Sequence, residues 1–327
     1  MWSLRFPSYP GTFDLWRCRE CGVVFNWPRL PAEAIHDQYD ADYYIFSRPP
    51  ERRWGRACQL YIDHLLPLEH EGTNKQLLEV GCAQGDLLRL ADHRGWEVQG
   101  IEISRETAAS AEKESGRPIC AGTLEEHASG LGVFDVVLTT DVIEHVPSPS
   151  RFVTAIRQVL RPGGLAITET PNWGGLWRRL AGRHWVGLNQ FHIYLFTGSC
   201  LTRLMRRCGF SSCWASSGTH MAHVVWGERP EVTRLTACLP KPLRWRAERT
   251  LNLLTPASIA TELYWAPPIN LDEALARIDS VSVERVRSER QPGHLMHDNL
   301  TVSAQTCHTV QEDENLSHST EQELLIA

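Results

Sequence analysis

Nowhere does the chain carry a run of about 18 or more apolar residues, so its sequence predicts no membrane-spanning helix. The opening Met1-Trp2-Ser3-Leu4-Arg5-Phe6-Pro7 lacks the apolar core of a secretory signal, and the expectation from both absences is a cytoplasmic protein. No internal repeat is present, which excludes a solenoid or propeller. The ten cysteines show no regular framework; in a reducing compartment they read as free thiols or small core residues. Surplus positive charge is missing too. A net charge of −6 argues against nucleic acid as the main partner. The average conceals an uneven distribution, because Trp173–Thr250 holds 12 lysine or arginine residues against 3 aspartate or glutamate residues. Such a bias suits a surface that meets an anionic group.

With 327 residues, 42% hydrophobic and 22% charged, the chain is long enough for one large domain with appendages. From Gln76 to Thr170, short apolar runs alternate with helical stretches. These runs (Leu77–Val80, Val98–Ile101, Val133–Leu138 and Leu165–Ile167) mark βαβ units and a parallel sheet. One connecting helix has a clear start, with Ser148 as cap, Pro149 in the first turn and a stripe of Phe152, Ile156, Val159 and Leu160. Arg161-Pro162-Gly163-Gly164 ends it and leads into the next strand. Phe210–Ala215 is expected as a sixth strand, and Asn299–Ala304 as a seventh that runs antiparallel. The expected organisation is a leader over 1–50, a core over 51–219, a helical insertion over 220–297, the last core strand over 298–305 and a polar, disordered tail over 306–327.

Leu77-Leu78-Glu79-Val80-Gly81-Cys82-Ala83-Gln84-Gly85 is the most informative segment. An apolar strand ends in an acid and then in a glycine-bearing loop, where open α/β sheets bind ligands. Gly81 permits a tight turn and Gly85 a close backbone approach. A dinucleotide fingerprint starting at Gly81 needs glycines at 83 and 86, which are Ala83 and Asp86. The loop is therefore not made for a pyrophosphate, and a nicotinamide-dependent oxidoreductase is disfavoured. Glu102 closes the second strand, 23 residues after Glu79. A carboxylate there can accept hydrogen bonds from both hydroxyls of a ribose, or simply cap the helix that follows.

These residues resemble the class I S-adenosylmethionine-dependent methyltransferases. Phe134-Asp135-Val136-Val137-Leu138-Thr139-Thr140-Asp141-Val142-Ile143-Glu144-His145-Val146 and Leu160-Arg161-Pro162-Gly163-Gly164-Leu165 are similar to the fourth strand, and to the turn before the fifth, of the ubiquinone-biosynthesis O-methyltransferase-like branch. The resemblance covers residues 76–215 and implies a Rossmann-like, doubly wound seven-stranded sheet, mostly parallel, with S-adenosylmethionine as cofactor. It further implies that Glu79, Gly81, Cys82 and Gly85 surround the methionine end, that Glu102 holds the ribose and that Ile103 packs on the adenine. Thr123 and Asp141 complete the implied cofactor set. Two departures stand out: Ala83 replaces the middle glycine, and Thr123 stands near where relatives often carry an acid for the adenine amino group.

His145 has two readings, a base facing the acceptor and a structural tie for its loop. His192, in Asn189-Gln190-Phe191-His192-Ile193-Tyr194, is a rival base. No catalytic metal is expected. Cys18-Arg19-Glu20-Cys21 and Tyr39-Asp40-Ala41-Asp42-Tyr43-Tyr44 resemble the leader of sugar- and polysaccharide-associated methyltransferases. That leader usually has a second Cys-x-x-Cys, and two thiols alone do not hold structural zinc. Tyr43 and Tyr44 either cover the cofactor or pack in the core. Trp173, Leu176, Trp177 and Leu180 share a helical face beside Arg178, Arg179 and Arg183, and Lys241–Arg249 is a second basic stretch. Residues 173–185 and 241–254 thus fit a peripheral membrane contact, a substrate lid or ordinary packing. The leading expectation is methyl transfer to a small-molecule or carrier-linked (glycan or lipid) acceptor, anionic and met by residues 172–192. The competing one is a non-catalytic binding module of the same fold.

Overall fold

Seven strands arise where the sequence places apolar runs, and the central runs do not alternate because helices cover both faces of the sheet. A computed structural model describes residues 3–4, 13–29, 50–71, 75–175, 178–179, 182, 185, 187–218, 269–281 and 299–306. Tyr43, Tyr44, Trp177, Arg183, the stretch 241–254 and the tail from 307 lie outside the described residues.

The leader contributes β1 (Ser3–Leu4), β2 (Phe13–Arg17) and β3 (Val24–Trp27). The core contributes β4 (Gln76–Val80), β5 (Glu97–Glu102), β6 (Ile119–Ala121), β7 (Phe134–Thr140), β8 (Leu160–Pro171), β9 (Tyr194–Leu195), β10 (Ser212–Gly218) and β11 (Asn299–Gln305). The main sheet runs β10-β11-β8-β7-β4-β5-β6. Strands β4 to β8 pair in parallel, and β11 is antiparallel to both β8 and β10. The reversed strand expected at 299–304 is therefore in place, inserted between β8 and β10 rather than at an edge. The sixth strand starts two residues later than expected, because Phe210 is buried as the chain leaves the preceding helix.

Leu77 and Leu78 are both fully buried and point to opposite faces. Each contributes about 1.5–3 kcal/mol of burial. On the Leu78 face lie α4 (Leu124–His127), α5 (Pro149–Val159) and α6 (Gly198–Arg207), with Phe152, Ile156, Leu201 and Met205 in the core. On the Leu77 face lie α1 (Pro50–Leu60), α2 (Asp86–His93), α3 (Arg105–Ser115) and α7 (Leu271–Asp279). Helix α7 is part of this core: Ala274 and Ile278 are buried, and the Ala274 carbonyl accepts from Cys58 Sγ on α1 at 3.5 Å. Helix α5 begins where the sequence predicts, but its cap differs. Ser148 makes no hydrogen bond to a backbone N–H, and its hydroxyl pairs with that of Ser150 at 3.3 Å.

The leader strands form a second sheet of order β1-β2-β3-β9. Since β9 follows β8 in the core, its pairing with β3 (Val24↔Leu195, Phe25↔Tyr194) docks the leader onto the domain.

Candidate active site

The carboxyl ends of β4, β5 and β7 meet at the point where the strand order reverses, and there the structure opens a cavity of about 570 Å³. Glu79, Gly81, Cys82, Glu102, Ile103, Thr123, Asp141 and His145 all line it. Gly85 and His192 do not. Gly85 instead turns the chain into α2, with a φ of +72° and its N–H donating to the Cys82 carbonyl at 2.8 Å.

Gly81 is required by space as well as by conformation. Its φ is +78°, and a Cβ there would lie 2.5 Å from Cγ2 of Val142. Its N–H and that of Cys82 donate to the Ile101 carbonyl at 2.8 and 3.1 Å, carrying the β4 turn onto the end of β5. Ala83 takes the left-handed conformation, with a φ of 47°, at the position where a glycine would sit without strain.

Glu102 is buried, and both its oxygens hold the backbone: Oε2 accepts from Ala83 N–H at 2.9 Å and Oε1 from Ser104 N–H at 3.0 Å. Burial raises its pKa above the usual carboxylate value, against the pull of these bonds. Glu79 is buried as well, and its Oε2 has no hydrogen-bond partner. Burial, with the charges of Asp86 and Glu102, holds Glu79 well above the ordinary carboxyl range. A buried, unpartnered carboxyl beside two others suits a cationic ligand group, which would restore its charge. Ile103 and Leu124 offer apolar wall, while Thr123 is committed locally. Its hydroxyl accepts from Glu126 N–H and its N–H donates to Glu126 Oε2, a capping box for α4.

Beyond the glycine loop, the chain rises from β7 through Asp141, whose φ is 55°, to Glu144 and His145. Nδ1 of His145 donates to the Phe191 carbonyl at 2.8 Å, and Nδ1 of His192 to the Gly187 carbonyl at 3.0 Å. Each ring therefore carries its proton on Nδ1 and presents Nε2 as an acceptor. The rings meet edge-on, with centroids 4.7 Å apart. Burial lowers the His145 pKa to about 4 and drives His192 well below its normal value, His145 adding to the latter shift. Both are neutral near pH 7. Glu144 is buried and accepts from the Thr170 hydroxyl at 2.9 Å; burial above all, then the Asp141 charge, raises its pKa well above the usual range. Among the described residues, Glu144, His145 and His192 form a group whose ligand atoms lie within 4.8 Å of one another.

The sequence did not point to the cations over this site. Arg53 and Arg56, one helical turn apart on α1, both line the cavity. Arg56 Nη2 lies 2.8 Å from Glu169 Oε1 and 3.8 Å from Asp141 Oδ2, while Arg53 Nε lies 3.5 Å from Asp86 Oδ2. His64 Nε2 lies 2.9 Å from the other Glu169 oxygen. The available signal was Glu169 itself, a lone acid inside the apolar strand Leu-Ala-Ile-Thr-Glu-Thr, which must find buried partners. The expected arginines past β8 are placed differently. Arg178 stacks its guanidinium 3.4 Å from the centre of the Trp173 ring, Arg179 is exposed, and neither lines the cavity.

The family model described as a methyltransferase domain matches residues 51–213. The chain is 33% identical over 118 residues to the ubiquinone biosynthesis O-methyltransferase of Psychrobacter arcticus, covering 34% of this chain and 46% of that protein. It is 39% identical over 105 residues to the enzyme of the same name from Caulobacter sp., covering 30% and 41%. The chain thus spans less than half the length of these curated relatives. Among solved structures, it is similar to an S-adenosylmethionine-dependent methyltransferase from Archaeoglobus fulgidus (TM-score 0.48, 13% identity, 81% of this chain and 100% of the other). It is also similar to the plantazolicin methyltransferase BamL (TM-score 0.47, 13% identity, 85% and 97%).

The strained loop residue gives a direct check. Ala83→Gly is expected to stabilise the protein by about 0.5–1 kcal/mol, the relief of the left-handed conformation less the added freedom of the unfolded chain. Urea denaturation measures it, and a lower unfolding midpoint would show that the alanine methyl supports the loop.

Proposed function

Because the chain carries a class I S-adenosylmethionine-dependent methyltransferase domain, we propose that it transfers a methyl group from S-adenosylmethionine to a small-molecule or carrier-linked acceptor such as a glycan or lipid. The supporting observation is the cavity itself, lined by Glu79 with its unpartnered Oε2, by Glu102 and by His145. S-adenosylmethionine, when bound, supplies a methyl group on an already activated sulfonium. Glu79 faces the ammonium and Glu102 the ribose hydroxyls through the lone pairs that its backbone donors leave unused. Ile103 and Leu124 pack against the adenine, and Thr123 keeps its hydroxyl hydrogen for a ring nitrogen. Gly81 and Cys82 bring the main chain against the ligand.

His145 is the acceptor-side base. Its Nδ1 bond to the Phe191 carbonyl fixes the ring, and its Nε2 takes the acceptor's proton. A pKa near 4 makes it a weak base, which suits a reaction whose leaving group needs little help. His192 orients His145 by its edge contact. The acceptor is anionic in this reading. Arg178 Nε and Trp185 Nε1 are buried donors without partners among the described residues, next to Trp173 past the end of β8. Arg151 adds an exposed cation on the cavity rim.

The reading is tested with methyl-labelled S-adenosylmethionine offered together with small-molecule and lipid fractions of a cell extract. Label appearing in an extractable product is expected, and label remaining wholly on the donor would overturn it. Glu102→Ala is expected to weaken cofactor binding by about 1–3 kcal/mol in calorimetry, the scale of lost bonds to a charged acceptor. For His145→Ala, kcat is expected to fall about 10²–10⁴-fold with cofactor affinity retained, whereas His192→Ala costs less. Replacing Arg178 and Arg179 together by alanine is expected to raise the acceptor KM at constant cofactor affinity; an unchanged KM would remove residues 172–192 from the acceptor site.

A further inference from the structure

His145 stands on a short connection that Val146, Pro147 and Ser148 continue, and all four residues line the cavity. The stretch belongs to neither helix nor strand, so the place of the imidazole depends on what grips it from outside. Tyr194 grips it at two points. Its main-chain N–H donates to the Glu144 carbonyl at 3.0 Å, and its hydroxyl donates to the Pro147 carbonyl at 3.2 Å. Tyr194, itself buried, is held in turn by the leader. It pairs with Phe25 of β3. The next residue of that strand, Asn26, binds the two carbonyls that precede Tyr194: its N–H donates to Ile193 at 3.1 Å and its Nδ2 to His192 at 3.4 Å. Past the end of β3, Arg29 donates from Nη1 to the Tyr194 hydroxyl. Its guanidinium carbon lies 5.5 Å from the centre of the Tyr194 ring and 6.0 Å from that of Trp27, within cation–π range of both. The phenol oxygen therefore accepts from a cation and donates to a carbonyl, a chain in which each bond strengthens the next.

The main chain before Tyr194 is committed to the same task. The Phe191 carbonyl accepts from His145 Nδ1 at 2.8 Å, and Asn26 takes the next two carbonyls. The Ile193 N–H joins that of Tyr194 on the Glu144 carbonyl, at 2.8 Å, while Asn189 Oδ1 accepts from the N–H groups of Phe191 and His192 at 2.9 and 3.0 Å. Every donor and acceptor of the main chain from 191 to 193 thus has its partner, either within its own turn, on the His145 stretch or on the leader. We propose that the leader is a working part of the active site: Arg29 and β3 fix Tyr194, and Tyr194 holds the 144–147 stretch so that His145 Nε2 faces the acceptor. Tyr194 and Arg29 are positioning residues, and neither lines the cavity. This role rests on the reading of His145 as the acceptor-side base. Arg29 and β3 lie outside residues 51–213, the span of the methyltransferase-domain model, so the placing of the base draws on chain beyond that domain.

The test compares the full-length protein with Tyr194→Phe, Arg29→Ala and His145→Ala. Tyr194→Phe keeps the ring and the main-chain bonds and loses only the hydroxyl, and Arg29 is exposed, so its truncation leaves the core intact. Methyl-labelled S-adenosylmethionine at saturating concentration is offered with the small-molecule and lipid fractions of a cell extract, and the rate of label transfer is measured. Tyr194→Phe and Arg29→Ala are each expected to transfer label about 10–100-fold more slowly, the scale of a misplacement of about 1 Å, with the cofactor Kd from calorimetry within about 2-fold of wild type. Added to His145→Ala, Tyr194→Phe is expected to cost nothing further, because it acts through that ring. Amide exchange gives a readout independent of activity: in both leader-contact variants, peptides covering 144–147 and 191–194 are expected to exchange faster while the peptide covering Leu77–Val80 keeps its wild-type rate. Transfer and exchange at wild-type rates in Tyr194→Phe, with His145→Ala slow, would overturn the proposal and leave the reading of His145 standing. No transfer by the wild type, or a wild-type rate in His145→Ala, would overturn both. A full further loss on adding Tyr194→Phe to His145→Ala, or faster exchange across the whole main sheet, would mark Tyr194 as an ordinary structural residue and overturn the proposal as well.

Discussion

The side chain of Glu102 holds the cavity edge of this domain together. It sits at the end of β5 and binds the Ala83 N–H of the β4 loop with one oxygen and the Ser104 N–H at the start of α3 with the other. Two βα turns therefore share one anchor, and the cavity between them takes its shape from it. The loop can reach that anchor only because Gly81 turns sharply beneath Val142 and Ala83 accepts a left-handed conformation. The strain at Ala83, on the order of 1–2 kcal/mol, is offset by a charge-assisted bond at its own N–H.

A second constraint is electrostatic. Glu79, Glu102, Glu144 and Glu169 are all buried at the same end of the sheet, with Asp86 and Asp141 beside them. So many carboxyls cannot all ionise in a dry site without compensation. Arg56 compensates Glu169, whose other oxygen lies 2.9 Å from His64 Nε2, Arg53 approaches Asp86, and the Thr170 hydroxyl serves Glu144. Glu79 has no such partner among the described residues, which makes it the group most responsive to a cationic ligand. Helix α1 thus has two functions: Trp54, Ala57, Cys58 and Leu60 close the core, while Arg53 and Arg56 balance the charge at the cavity roof.

The same coupling extends to the leader. Its strand β3 pairs with β9, and the two residues entering β9, Ile193 and Tyr194, both donate to the Glu144 carbonyl. The segments that carry His145 and His192 are therefore held by three separate stretches of chain: the end of β7, the segment before β9 and strand β3, whose Asn26 N–H donates to the Ile193 carbonyl at 3.1 Å. No one of these segments would hold the two rings 4.7 Å apart by itself.

The sequence determined what depends on local pattern. Apolar runs such as Leu77–Val80 and Val133–Leu138 marked strands of a covered parallel sheet, and the glycine loop with Glu102 marked the edge where the cavity opens, because period, turn chemistry and strand ends are short-range properties. Asn299–Gln305 was legible as a strand, but its insertion between β8 and β10 was not, since pairing partners far apart in sequence leave no local trace. Gly85 and His192 show the limit from the other side: both sit in the right motifs, yet neither lines the cavity, because a motif fixes a residue's place along the chain and not the direction it faces. Only the tertiary structure decided that Arg53 and Arg56 line the cavity and that Arg178 lies on Trp173. Each of these contacts joins residues brought together by packing of the whole domain, where burial and charge balance choose the partner.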